Sequence, residues 1–249
     1  MLKKERQAYI LHRINLHKKV LSAQLSNEIN VSEDTIRRDL QELAGEGKII
    51  KVHGGALSHS FGNNGFVSYA SPLQGSRKVI AQKAIALIED KMFVLTSGGS
   101  TIIELARNLP PALTATFISG SVPAILEYMQ HPTVEVIVIG DKVSKNSRNT
   151  AGSEAIAQIR RLRANLCFID VNAITVKDGI TDNEWETVQF KKAMIESSQK
   201  VVCLATGEKL DTLLPILICE TTRVHTLVTE LSPDDGRLKP YREAGIEVL

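Results

Sequence analysis

The sequence predicts an α/β protein: a small module of short helices, then a larger, mostly parallel sheet flanked by helices. Three observations predict it. Apolar residues recur at helical spacing through residues 4–53, short β-branched runs alternate with helical stretches from Arg77 onward, and a Gly/Ser-rich stretch lies between the two. The expected boundaries are 1–57 for the first module, 58–76 for a linker and 77–249 for the α/β domain.

Composition narrows the class. A chain of 249 residues with 43% hydrophobic and 23% charged content is ordinary for a globular protein, which excludes wholesale disorder. The net charge of +2 conceals a split, because residues 1–60 carry ten Lys/Arg against seven Asp/Glu. That segment also holds His12, His17, His53 and His59, four of the six histidines, so a basic module precedes a nearly neutral one. No apolar run is long enough to span a bilayer, and the opening MLKKERQAYI is too often broken by charge to form a signal-peptide core. Cys167, Cys203 and Cys219 are odd in number, far apart and set in apolar surroundings, which reads as buried small hydrophobes in a reducing compartment. A cytoplasmic protein with no membrane association, no metal and no cofactor is expected.

The helices come first. Ile10, Leu11 and Ile14, then Leu21, Leu25 and Ile29, then Ile36, Leu40 and Leu43 each place an apolar stripe on one helix face. A helix over Ser22–Ile29 can stop at Asn30, which tolerates the left-handed conformation. Ser32 is then a good N-cap, with Glu33 and Asp34 in the first turn where the helix dipole favours acids. Opposite the apolar stripe lie Asp34, Arg37, Arg38 and Gln41. Two arginines flanked by hydrogen-bonding groups suit a helix in a major groove, where Arg pairs with guanine or clamps phosphate and Thr35 and Gln41 meet bases or backbone. Gly45 and Gly47 end the helix, and KIIKVHGG reads as a β-wing whose Lys48, Lys51 and His53 track the DNA backbone. For an isolated helix, Arg37 and Arg38 would read as solvated charges. The neighbouring helix, the tight turn and the wing, in this order, favour the DNA reading.

Residues 54–76 hold five glycines and five serines, the chemistry of a linker or loose strap. Strands are then expected at 92–96, 114–119, 134–140, 166–171, 200–205 and 224–229, with helices between them. Right-handed crossovers place the loops after the strands along one edge, where ligands bind. The most suggestive is Ser97-Gly98-Gly99-Ser100-Thr101, a strand, glycine turn and helix start that can cradle phosphate. By itself such a turn also reads as a plain strand-to-helix turn with a cap. Ser119-Gly120, Gly140-Asp141, Asp170 to Asn172 and Thr206 to Lys209 fall at the same edge. Lys142 and Arg148 are further cationic candidates against a solvated-surface reading. Trp185, between Glu184 and Glu186, reads either as bordering the pocket or as a packing anchor.

VSEDTIRRDLQELAGEGKIIKVHGGA resembles the winged helix-turn-helix of the DeoR/GlpR family of bacterial transcriptional regulators, closely over about 55 residues and more loosely after residue 77. The resemblance implies a Rossmann-like second domain, similar to sugar-phosphate isomerases, that senses a phosphorylated metabolite. It assigns Ser32, Thr35, Arg37, Arg38, Gln41, Lys48, Lys51 and His53 to double-stranded operator DNA. It assigns Ser97, Gly98, Gly99, Ser100, Thr101, Ser119, Gly140 and Lys209 to a phosphorylated sugar-like effector, Lys209 matching the lysine of an Asp-Ser-Ser-Lys-like motif. As a bare residue Lys209 reads equally as an exposed loop lysine. The implied function is a repressor of sugar or carbohydrate genes, a homodimer or homotetramer, and not an enzyme. The alternative is a sugar-phosphate isomerase-like enzyme with an accessory N-terminal module. Departures bear on that alternative: Thr96 and Ser97 replace an acidic position, Ser119-Gly120 replaces Thr-Asn, Gly140-Asp141 replaces Gly-Gly, and Thr206 replaces Asp. Proton transfer between C1 and C2 needs a positioned carboxylate, for which Glu104, Glu184 and Glu186 remain.

Overall fold

A computed structural model describes residues 2–17, 19–46, 48–57, 73–145 and 147–249. The chain divides into two compact units, 1–74 and 75–249. Most of the expected linker, like Gly47 at the expected end of the helix carrying Arg37 and Arg38, lies outside the described residues. Residues 74–76, counted with that linker in sequence, instead begin a helix.

In the first unit α1 (Lys3–His17), β1 (Lys19–Leu21), α2 (Ser22–Ile29), α3 (Glu33–Gly45), β2 (Ile50–Val52) and β3 (Gly55–Leu57) follow one another. The strands pair antiparallel in the order β1-β3-β2. Helix α2 ends at Asn30, left-handed at φ 52°, whose N–H returns to the Ser26 carbonyl. Two residues later Ser32 caps α3, its Oγ accepting the Thr35 N–H at 3.3 Å. Ile36, Leu40 and Leu43 of α3 bury against Ile10 and Ile14 of α1, Leu25 of α2, and Val20, Ile49 and Ala56 around the small sheet. At about 1.5–3 kcal/mol for each large apolar side chain removed from water, this core fixes which face of α3 turns outward. An ion pair of the half-buried Arg6 with the buried Asp39 adds a link between α1 and α3.

The second unit begins with α4 (Gln74–Ile85), β4 (Phe93–Thr96), α5 (Ser100–Arg107), β5 (Thr116–Ser119), α6 (Val122–Tyr128) and β6 (Glu135–Val138). A short antiparallel pair follows, β7 (Lys142–Val143) and β8 (Thr150–Ala151), then α7 (Ser153–Arg160) and β9 (Ala164–Asp170). The remainder is β10 (Ala173–Thr175), β11 (Gly179–Asp182), α8 (Trp185–Glu196), β12 (Ser198–Leu204), β13 (Ile216–Cys219), β14 (Thr226–Val228), α9 (Lys239–Glu243) and β15 (Glu247–Val248). Seven strands form the main sheet in the order β15-β14-β12-β9-β4-β5-β6, and every pairing is parallel.

Alternation along the central strands feeds two cores. Val94, Leu166, Phe168, Val202 and Leu204 pack with α4, α5 and α6 on one face. Leu95, Cys167, Ile169, Val201 and Cys203 pack with α7, α8 and α9 on the other. Burial raises the Cys167 thiol to about 12 and the half-buried Cys219 to about 11, so neither is a ready nucleophile. Strand order runs outward in both directions from β4 and β9. That makes the crevice beyond their carboxyl ends the topological switch point, where an open parallel sheet offers a ligand site.

Besides the expected mostly parallel sheet and the short β7–β8 pair, β10, β11 and β13 form a further, antiparallel sheet. Its hairpin turns at Lys177-Asp178-Gly179 with Gly179 at φ 77°, an Asp-Gly turn whose strands are too short to stand out by hydrophobic pattern.

Candidate DNA interface and effector cleft

With its apolar stripe buried, α3 presents Arg37, Arg38 and Gln41 to solvent. Arg37 bonds Asp34 one turn back at 3.0 Å, a pair exposed enough to exchange freely for another anion. Arg38 has no hydrogen-bond or ion-pair partner among the described residues. Gln41 accepts from Lys51 Nζ at 2.6 Å, which ties strand β2 to the face of α3. Lys48 pairs with Glu46 at 2.8 Å, and His53 is exposed at the turn between β2 and β3. Ser32 and Thr35 are engaged with each other at 2.9 Å in the cap, so their first task is to set where α3 begins.

Asp39 follows the two arginines yet faces inward, 2% exposed, gripping Arg6. Lys3 and Gln7 of α1 reach Glu42 on the same helix. These contacts span more than 30 residues of chain, and local spacing could not reveal them.

In the cleft, β4 runs into Ser97-Gly98-Gly99 and then the N-terminus of α5. Ser97 is buried and joins the two switch-point strands: its N–H donates to the Phe168 carbonyl and its Oγ accepts the Asp170 N–H, each at 3.0 Å. Gly99 sits at φ 131°, and a Cβ there would collide with Asp170 Oδ2. Gly98 packs in the same way against the Asn149 side chain, and Gly120 against Thr150. The glycines are therefore required by close approach, and each marks a side chain pressed onto a turn.

Asp170 is the carboxylate that the structure places at this turn. Its Oδ2 accepts the Thr101 N–H at 3.4 Å, at the start of α5, and its Oδ1 meets Lys209 Nζ at 3.1 Å. Ser97, Gly99, Thr101 and Lys209 are thus gathered around one group that lay outside the assigned site residues. Ser100 opens α5 beside them. Ser119 is fully buried, its hydroxyl donating to the Thr96 carbonyl and accepting the Ser121 N–H, so it holds the ends of β4 and β5 together. Gly140 lies beyond β6, two strands from β4, with its N–H on Gln158 at 3.1 Å.

The other carboxylates do not converge here. Glu104 accepts from Asn108, Glu184 accepts from Thr187, and Glu186 is exposed. Trp185 is 65% exposed, which removes the packing-anchor reading. Thr96 turns into the core, where its hydroxyl accepts from Tyr128. Three buried polar atoms around the cleft loops have no hydrogen-bond partner among the described residues: Asn149 Oδ1, Thr150 Oγ1 and Thr206 Oγ1. Behind the loops Lys191 Nζ lies 3.1 Å from Asp182, to which Asn172 also donates. Burial works against the Asp182 charge, but Lys191 and the bonds from Asn183 and Asn172 outweigh it and hold the carboxyl below its usual range.

No group of three or more metal-ligating side chains occurs among the described residues, and no helix there is long and apolar enough to cross a membrane.

Residues 6–61 match the DeoR-like helix-turn-helix domain and residues 74–231 match the DeoR C terminal sensor domain. The chain is 28% identical over 248 residues to the HTH-type transcriptional regulator GolR of Listeria innocua, covering 98% of this chain and 97% of that one. It is 27% identical over 252 residues to the HTH-type transcriptional repressor GlcR of Bacillus subtilis, covering 100% and 96%. It is 25% identical over 240 residues to an L-fucose operon activator of Haemophilus influenzae, covering 96% of each.

Proposed function

The chain belongs to the DeoR family of HTH-type transcriptional regulators, and from that premise we propose that it represses sugar or carbohydrate genes under control of a phosphorylated sugar-like metabolite. The observation that carries the DNA half of the reading is the exposed pair Arg37 and Arg38 on a helix whose opposite face is locked into the core. Helix α3 enters the major groove with these arginines and Gln41 toward base edges, and Thr35 toward bases or backbone. Lys48, Lys51 and His53 of the wing follow the phosphates.

Support for the effector half comes from the switch-point cleft, where an α5 N-terminus, a cation and unpartnered buried hydroxyls meet. The effector acts by binding one DNA-competent or incompetent arrangement better than the other. A palindromic operator requires two or more copies of α3. A homodimer or homotetramer is supported by exposed apolar residues at one end of the sheet, Ile137 and Val138 on edge strand β6 with Leu126 on α6 and Met129 just after it. The protein works in the cytoplasm and performs no catalysis, a reading supported by relatives that are transcriptional regulators and repressors.

Genome-wide footprinting of the bound DNA tests this reading. Sites upstream of carbohydrate genes are expected, and the absence of any protected site overturns it.

A further inference from the structure

The geometry points to Asp170 as an internal anion that occupies the phosphate cradle and must leave it when the effector binds. The cradle offers an anion two things, the free N–H groups at the start of α5 and the Lys209 ammonium, and Asp170 takes a share of both. Its placement is fixed by the backbone: the Asp170 N–H is held by Ser97 Oγ, and Gly99 lacks the Cβ that would push the carboxylate away. Asp170 is 7% exposed, so its charge is poorly screened, and a phosphate seated on the same N–H groups would face it directly.

A phosphate therefore binds by exchange. Asp170 rotates off the α5 N-terminus, and Lys209 passes from carboxylate to phosphate. The hydroxyl of Thr206, 2% exposed and without a partner among the described residues, lies on the loop that carries Lys209. Exchange makes Asp170 a specificity-determining residue: the cradle is quiet toward weak monoanions and opens only to a ligand whose phosphate outcompetes a resident carboxylate. It also ties occupancy to a movement at the end of β9. This inference rests on the reading that the cleft takes a phosphorylated sugar-like effector.

The test uses the full chain with inorganic phosphate and ribose 5-phosphate as probes, followed by calorimetry and melting temperature. Asp170→Asn keeps the shape and removes the charge. It should bind inorganic phosphate at least ~10-fold tighter than the unaltered protein, about 1.4 kcal/mol at 25 °C. Asp170→Ser should do the same if the amide disturbs folding, and adding Lys209→Ala should erase the gain. Equal phosphate affinity in the unaltered, Asp170→Asn and Asp170→Ser proteins, with ribose 5-phosphate still binding, overturns the exchange and leaves the effector reading standing. Failure of every protein to bind either probe overturns the phosphorylated-effector reading and the exchange with it.

Discussion

Arg38 on α3 and Lys209 beyond β12 are both cations assigned to an anionic partner, and they stand in opposite conditions. Arg38 projects into solvent without a partner among the described residues, backed by a helix whose other face is buried in Ile36, Leu40 and Leu43. Lys209 is already neutralised by Asp170. On the proposed reading the surface of α3 is ready-made for DNA and its binding strength depends on charge and shape, whereas the cleft is self-satisfied and its binding strength depends on what a ligand displaces.

The largest effects should come from the ion pairs that hold each surface in place. Asp39→Ala leaves Arg6 without its carboxylate at the α1–α3 contact, and Lys191→Met leaves Asp182 charged and buried. Lys191→Met should cost about 3–5 kcal/mol of stability in its own unit and Asp39→Ala, whose Arg6 partner keeps some access to water, about 1–3 kcal/mol, read from denaturant melts. Asp39→Ala should also abolish operator binding, whereas Lys191→Met should leave a head that still binds DNA. Loss of DNA binding in both would deny that the units differ in this way.

Next in size is Arg38→Ala, expected to weaken operator binding by about 1–3 kcal/mol without changing the melting temperature. Gly99→Ala sharpens the cleft side. A side chain at φ 131° and a clash with Asp170 should cost about 1–3 kcal/mol of stability and suppress the effector response, with operator binding retained.

The N-terminal surface was legible because its logic is local. Asn30, Ser32 and the stripe at 36, 40 and 43 fix where α3 starts and which way it faces, all within 14 residues of chain. The cleft was legible only as a set of loops at one sheet edge. Its contents depend on contacts such as Asp170 with Lys209, 39 residues apart, and Asp170 with Ser97, 73 apart. No periodicity encodes these. Asn149 and Thr150 press onto Gly98 and Gly120 from around the short β7–β8 pair, which carried no motif, and Gly140 lies beyond β6, two strands from β4. The Asp-Gly turn at residues 178–179 is the local signal for the extra hairpin, whose strands are too short to show a hydrophobic pattern of their own.

The smaller effects separate the two phosphate-facing roles. Lys51→Ala should weaken DNA binding evenly across sequences and lower the salt slope by about 1, since a backbone contact carries no sequence information. Asp182 supplies a pH signature for the cleft unit. Its folded pKa is depressed, so its contribution is fully present above the unfolded value near 3.9 and is lost as pH falls through the folded one. Melting temperature of the second unit should therefore drop below about pH 4, and less steeply in Asp182→Asn.

The most direct test of the account is an operator titration by fluorescence anisotropy with the unaltered protein, Arg37→Ala and Arg38→Ala, beside a scrambled duplex of equal length. Arg38→Ala should lose roughly 10- to 100-fold in operator affinity, equal to about 1.4–2.7 kcal/mol, while binding to the scrambled duplex changes far less. Unchanged operator affinity in both variants would show that α3 does not read the DNA.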